Sequence, residues 1–227
     1  MNQKFLKYML CQDQRVLSIM GPSGTGKSFS AGFLQEFLDY KIAKQITTRE
    51  PRPDDTHYVY MPKYEFIKLE QEGKILGLFA GDKKTLQGNG YGYIKEEILD
   101  QLSSDKKIIL FSSAYELQQR DFQENYGTTD KVGLGFRDPK TVLSRALQCN
   151  KQLSESELQS RIQVASTLTH LMEKYNMVGD KTFNLIYSDA ETQDLRRSKQ
   201  LQLCKIVSAI GQDYKGYEQD VEEYISR

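Results

Sequence analysis

The chain has 227 residues, a hydrophobic content of 38%, and 31 basic against 31 acidic side chains, giving a formal net charge of zero. This length is sufficient for one large domain, and the balanced charge argues against binding to nucleic acid or an anionic membrane. No segment approaches the roughly 18 apolar residues of a membrane-spanning helix. The three cysteines lack metal-ligand spacing, so we expect reduced thiols and a cytoplasmic protein.

The first apolar segment, RVLSIM at 15–20, predicts a short strand that ends at a glycine-rich loop. Beyond the loop, Phe29, Phe33 and Phe37 recur every four residues, which predicts an amphipathic helix beginning near Ser28. The order is therefore strand, glycine loop, helix.

The loop itself, GPSGTGKS, fits the pattern G-x-x-x-x-G-K-[ST]. Glycines let successive backbone N–H groups surround an anion, and the following helix points its positive end at the same place. We expect Lys27 to reach the β- and γ-phosphates of ATP and the Ser28 hydroxyl to bind Mg²⁺. The predicted ATP phosphate-binding residues are Gly21, Ser23, Gly24, Thr25, Gly26, Lys27 and Ser28.

The rest of the chain alternates strands with helices, except for a Tyr-, Pro- and Gly-rich middle at 45–100. Alternation of this kind predicts an α/β protein with a P-loop NTPase-type parallel sheet flanked by helices, and the middle segment predicts a small, partly β insert. In order, the further predicted elements are strands at 106–114 and 131–136, a helix from Ser154 to about Tyr175, a strand at 183–188 and a helix ending near Gly211. The acidic, aromatic tail after Gly211 is expected to be a short surface helix or frayed.

Three further motifs follow the loop: TTREPRP at 47–53, HYVYMPKYEF at 57–66 and NGYGY at 89–93. With GPSG-x-GK, their order resembles the guanylate kinase family from about Val16 to the helix before Gly211. The resemblance implies an ATP- and Mg²⁺-dependent kinase whose acceptor is a small phosphate monoester. A phosphate acceptor is already an oxyanion, so no catalytic base is required. This agrees with a chain that has only two histidines. His57 lies beside the expected acceptor site, and His170 is expected to be a surface or packing residue of a helix.

The resemblance also implies roles for particular residues and a division of the chain. Those matching the family's acceptor-phosphate site are Arg49, Arg52, Tyr58 and Tyr91. Arg145 and Arg161 match arginines that flank a helical lid and, with Lys27, would stabilise the transferring phosphoryl group. The expected organisation is one domain, 1–227, with a core at about 15–44, 101–144 and 162–211, an acceptor-binding insert at 45–100, a lid at 145–161 and a tail at 212–227.

The departures from the family concern the guanine base. Guanylate kinases read guanine with two carboxylates, whose positions correspond to Gly77 and Ser113 here, and Tyr93 replaces a smaller hydroxyl residue. An unpaired buried donor costs about 1–3 kcal/mol, so the loss of both acceptors predicts much weaker guanine selectivity. Either the acceptor is not GMP, or catalysis is impaired. Asp54 and Asp82 are the candidates for a displaced carboxylate.

Three alternatives remain open from the sequence. The chain has uncharged residues at both base-reading positions, and in this it resembles ribose 1,5-bisphosphate phosphokinases. The acceptor is therefore either a nucleotide or a sugar phosphate. A non-catalytic guanylate-kinase-like protein-binding module is a second reading, and a nucleotide-switched regulator is a third. The intact Gly26-Lys27-Ser28 favours a kinase over both. The oligomeric state is not predicted.

Overall fold

The computed structural model describes residues 16–51, 57–103, 107–112, 130–138, 154–177, 183–187 and 195–227. In chain order, its elements are β1 (Val16–Met20), α1 (Lys27–Phe37), β2 (Tyr40–Ile42), β3 (Gln45–Thr47), β4 (Tyr58–Tyr60), α2 (Lys63–Gln71), β5 (Ile75–Asp82), β6 (Gln87–Ile94), α3 (Lys95–Ser103), β7 (Lys107–Ser112), β8 (Asp130–Gly135), α4 (Glu155–Met177), β9 (Phe183–Tyr187), α5 (Leu195–Ala209), a 3₁₀ helix (Tyr214–Tyr217) and α6 (Glu218–Ser226).

A five-stranded sheet of order β2-β7-β1-β8-β9 forms the core, and every strand pair in it is parallel. All five residues of β1 are buried, as expected of a central parallel strand covered on both faces. The strands predicted at 15–20, 106–114, 131–136 and 183–188 are confirmed as β1, β7, β8 and β9. Strand β2 was not predicted, because its three residues are too few to show a pattern.

Helices cover both faces of this sheet. On one face, α1, α5 and α6 contribute the buried side chains of Phe33, Leu203 and Val221. On the other face, α3 and α4 contribute Ile98 and Met172. The predicted α/β class, with a mostly parallel sheet flanked by helices, is confirmed.

The middle of the chain forms a second sheet of order β4-β3-β6-β5, with both parallel and antiparallel pairs. Helix α2 packs on one of its faces, where Phe66 and Ile67 bury Ile46 and Ile75. The strands span residues 45–94, and α3 then leads back to the core sheet across position 100. The proposed division into core, insert and lid remains a prediction.

The tail is an integral part of the core rather than a frayed end. Asp213 caps the 3₁₀ helix by accepting a hydrogen bond from the backbone N–H of Lys215. In α6, Val221 is fully buried, and the ring of Tyr224 lies edge-on to that of Phe33 with centroids 5.5 Å apart. Among the described residues, no helix is long and apolar enough to cross a membrane.

Candidate active site

The glycine-rich loop connects the carboxyl end of β1 to the first turn of α1. It lies against β8 so closely that a Cβ at Gly21 would be only 3.1 Å from the carbonyl carbon of Leu134. Ligands of open α/β sheets bind at the carboxyl ends of the parallel strands. The predicted ATP phosphate-binding loop therefore occupies the expected edge of the sheet.

Hydrogen bonds within the loop hold it in a compact curve. The Thr25 hydroxyl donates to the carbonyl oxygen of Pro22 at 2.9 Å. The Lys27 ammonium donates to the same oxygen at 2.9 Å and to that of Gly21 at 2.8 Å. Lys27 therefore folds back over the loop, with its charge above the curved backbone. The side of the loop that faces solvent is formed by Ser23, Gly24 and Ser28, which are exposed.

Gly26 ends the loop and begins α1 as its N-cap, with a left-handed φ of 85°. This conformation is costly for residues with a Cβ and accessible to glycine. It starts the helix directly after the loop, so the positive end of the α1 dipole lies at the loop. The geometry is that of an anion-binding nest.

Burial lowers the pKa of the Lys27 ammonium from its usual 10.5 to about 8. In the free protein, the amine therefore loses its proton as the pH rises through about 8. A bound polyphosphate favours the charged form and raises this pKa.

We accordingly expect ATP affinity to be constant below pH 7 and to fall above pH 8, by up to ~10-fold per pH unit, because binding must then return one proton to Lys27. Calorimetric titrations at pH 7 and pH 9, in two buffers of different ionisation enthalpy, measure both the affinity and the proton uptake. An affinity that is the same at both values would contradict this role for Lys27.

The Arg49 guanidinium lies over the rings of two tyrosines on the insert. Its guanidinium carbon lies 4.6 Å from the ring centroid of Tyr58 and 5.9 Å from that of Tyr60. Because β3 and β4 pair in parallel register, Tyr58 and Tyr60 share a sheet face with Gln45 and Thr47. Stacking on aromatic faces restricts a guanidinium, and Nη1 of Arg49 also donates to the Glu50 carbonyl oxygen at 2.9 Å.

The same face carries Tyr91, which lies opposite Thr47 on β6 and is half-buried. Tyr58 and Tyr91 thus share one face of the sheet, and the Arg49 guanidinium lies over the Tyr58 ring. Arg52, the fourth residue predicted for the acceptor phosphate, lies outside the described residues, as does Asp54. Tyr60 was not predicted, although its spacing of two from Tyr58 is the signal of a shared strand face.

Two side chains on this face reach the carboxyl end of β7. The Tyr93 hydroxyl accepts a hydrogen bond from the Phe111 N–H at 2.6 Å and donates to the Phe111 carbonyl oxygen at 2.9 Å. The Gln45 amide donates to that same oxygen at 2.8 Å. Tyr93 and Gln45 are both buried, so the phenol that replaces the family's smaller hydroxyl residue joins the insert to the core.

Gly77 lies on β5 opposite Gly92, with a φ of +146°. A Cβ built there would overlap the carbonyl oxygen of Tyr91 and the Cα of Gly92, and would lie 2.9 Å from the Tyr91 carbonyl carbon. No side chain fits this backbone. The strand therefore leaves no space for a carboxylate at the position that the sequence predicts to correspond to a guanine-reading acid.

The other carboxylate considered, Asp82, is committed to a turn between β5 and β6. Its two oxygens accept from the Lys84 N–H at 2.8 Å and the Thr85 hydroxyl at 2.9 Å. The lowered pKa of Asp82 has the same cause, led by the bond from Lys84. Ser113, the second base-reading position, lies outside the described residues.

The two histidines differ in environment. His57 is half-buried, with its ring centroid 6.2 Å from that of Phe111, and burial lowers its pKa. This position lies between the insert and the end of β7. His170 is exposed on α4, with its Nδ1 3.9 Å from a Glu173 carboxylate oxygen, as expected of a surface residue.

Of the two lid arginines, Arg161 is half-buried near the start of α4, which begins at Glu155. Arg145 lies outside the described residues, as does the segment 145–153 of the predicted lid. The assignment of both arginines to the transferring phosphoryl group remains a prediction.

Within the described ranges, no group of three or more His, Cys, Asp and Glu side chains is arranged to hold a metal ion. The hydroxyl of Ser112 at the end of β7 is paired with that of Ser18 at 2.5 Å. The exposed Ser28 fits Mg²⁺ that arrives with a nucleotide, because Mg²⁺ commonly takes one or two protein ligands and completes its shell with phosphates and water.

No model of a known protein family matches the chain. It is similar to curated guanylate kinases, among them that of Rhodopirellula baltica, which is 27% identical over 172 residues covering 71% of this chain and 77% of that protein. The guanylate kinase of Clostridium tetani is 26% identical over 75% of this chain and 81% of its own length. That of Trichormus variabilis is 29% identical over 100 residues, which span only 48% of its length.

A solved structure, the guanylate kinase of Anaplasma phagocytophilum, has the same fold with a TM-score of 0.54. The alignment covers 86% of this chain and 85% of that one at 14% identity. The chain is thus similar to guanylate kinases in sequence, at low identity, and shares their fold.

Proposed function

We propose that the protein transfers the γ-phosphoryl group of ATP to the phosphate of a small monoester, with Mg²⁺ bound to the nucleotide. The observation that carries this proposal is the phosphate loop, in which a helix N-terminus, left-handed Gly26 and the Lys27 ammonium converge. Phosphoryl transfer is catalysed mainly by positioning and charge stabilisation, and these groups supply both. Arg161 and Arg145 are proposed to stabilise the transferring group when the lid closes and excludes water.

The acceptor is proposed to bind through its phosphate. Arg49 carries the permanent charge, and Tyr58 and Tyr91 on the same sheet face offer hydroxyl groups. A planar guanidinium stacked on a ring is suited to bidentate binding of a phosphate. Arg52 completes this site in our proposal.

The acceptor is further proposed to be recognised without a guanine-reading carboxylate. Gly77 has no space for a side chain, and both hydrogen-bonding functions of the Tyr93 hydroxyl are used by Phe111. These observations favour a second candidate within the same reaction class, in which the acceptor is a sugar phosphate of the kind implied by the resemblance to ribose 1,5-bisphosphate phosphokinases. A sugar phosphate has no purine edge that requires an acid.

A non-catalytic binding module is the main competing function. Such a module has no need for ATP, whereas the loop here retains Lys27 and the anion nest around Gly26. Calorimetry separates the two functions directly. Absence of measurable ATP and ADP binding would contradict the kinase proposal.

Replacement of Arg49 by alanine should raise the acceptor KM by roughly 10- to 100-fold, because a charge-assisted hydrogen bond contributes about 1.5–3 kcal/mol. The KM for ATP should change little, since Arg49 lies on the insert. Initial rates at varied acceptor and at varied ATP measure the two constants separately.

Arg49→Lys is the informative companion variant, because it keeps the charge and loses the planar stack on Tyr58. We expect an intermediate acceptor KM. Arg196→Ala, a change at an exposed arginine of α5 that pairs with Glu222 of α6, serves as the control. An unaltered acceptor KM in Arg49→Ala would refute the proposed acceptor site.

A further inference from the structure

Gln202 is a buried amide on α5, 4% exposed, that reaches the phosphate loop from the opposite end of the sequence. Its Nε2 donates to the Ser30 hydroxyl at 2.8 Å and lies 3.5 Å from the carbonyl oxygen of Gly26. A Cβ at Gly26 would lie 2.8 Å from the same nitrogen. Gln202 therefore packs directly beneath the left-handed residue that ends the loop.

The contact with Gly26 constrains the direction of a particular N–H group. In a planar trans peptide, the carbonyl of one residue and the N–H of the next point in opposite directions. The Gly26 carbonyl oxygen is held by the Ser30 N–H at 2.9 Å and faces Gln202. The N–H of Lys27 then points in the opposite sense, toward the N-terminal end of α1, where the loop lies.

We propose that Gln202 is a positioning residue for ATP, which fixes the Gly26–Lys27 peptide so that its N–H faces the phosphates. The proposal rests on the proposed function, since Gln202 would hold in place the same loop that is proposed to bind the phosphates of ATP. Gly26 can rotate its peptide more freely than any other residue, and the Ser30 N–H of α1 holds this peptide at its carbonyl oxygen. Gln202 adds a second constraint from a helix that does not belong to the loop.

The test is calorimetric measurement of the Kd for ATP and for ADP in the full chain, for Gln202→Met and Gln202→Glu. Methionine keeps the length of the side chain and removes both donations. We expect a roughly 5-fold weaker Kd for both nucleotides, the loss of about one hydrogen bond. Glutamate accepts from Ser30 but places an oxygen against the Gly26 carbonyl, so its Kd should be weaker than that of the methionine variant.

Gln200→Met is the matched control, because Gln200 lies on the same helix and its amide donates to Glu222 instead. Its Kd should equal that of the wild type. A purely structural role for Gln202 predicts a lower Tm with an unchanged Kd in the folded protein. It also predicts that Gln202→Glu binds nucleotide no more weakly than Gln202→Met. Equal Kd values for wild type and both Gln202 variants would overturn the proposal, whereas a wild type that binds no nucleotide would contradict the proposed function itself.

Discussion

Lys27→Met should lower kcat/KM for phosphoryl transfer by about 10²- to 10³-fold, the effect of removing one preorganised charge-stabilising donor. Lys27 is the cation whose ammonium lies over the phosphate loop, bonded to the carbonyl oxygens of Gly21 and Pro22. The variant should bind ATP more weakly as well, and its remaining affinity should no longer fall between pH 7 and pH 9. Steady-state rates of ADP release at varied ATP measure this decrease in kcat/KM.

The stability of this variant distinguishes a functional role from a structural one. Burial lowers the pKa of Lys27 to about 8, so the folded protein disfavours its charge, and an apolar side chain of similar length should not reduce the free energy of unfolding. Lys199→Met is the control, because Lys199 lies on α5 over the ring of Phe29, outside the loop. If Lys27→Met retained wild-type kcat/KM, the loop would not be the catalytic phosphate site.

The second large effect is expected at Gly77, where alanine should lower the free energy of unfolding by about 3 kcal/mol. Two costs add there: a φ of +146° that is accessible almost only to glycine, and overlap of Cβ with the backbone of β6. Gly77→Glu should be at least as destabilising. Restoring the family's acid at this position therefore should not restore guanine recognition.

Two other glycines separate these costs. Gly211 has a φ of +74° with open space around it, so Gly211→Ala should cost about 1–2 kcal/mol from the backbone alone. Gly216 has open space and an ordinary backbone, so Gly216→Ala should lie within about 0.5 kcal/mol of the wild type. Denaturant unfolding of the three variants measures the series. A Gly77→Ala protein as stable as Gly216→Ala would show that β5 has room for a side chain after all.

The fold was largely predictable because its signals are local. A continuous apolar segment before a glycine loop predicts β1, and aromatic residues at a spacing of four predict α1, since each pattern matches the geometry of its own element. The packed tail was less predictable. Whether Val221 is buried depends on a hydrophobic face of α1 and α5 that lies far from it in sequence.

The candidate site likewise has one part that the sequence predicts and another that it does not. The loop glycines and Lys27 form a contiguous motif, whereas Gln202 contacts Gly26 across 176 residues of sequence and no pattern connects the two. The obstruction at Gly77 is a backbone property of paired strands, so the sequence shows only the absence of an acid. The two hydrogen bonds between the Tyr93 hydroxyl and the Phe111 backbone likewise depend on how the insert meets the core.

The central claim is that the acceptor is recognised by its phosphate and not by a guanine base. It is tested most directly by ADP release at saturating ATP and Mg²⁺ with a panel of GMP, AMP and ribose phosphates, each compared by kcat/KM. We predict turnover with at least one monoester, with kcat/KM lowered by about 10²- to 10³-fold in Lys27→Met, and no preference for GMP of several decades in kcat/KM. Exclusive turnover of GMP, or no ADP release with any monoester, would contradict this account.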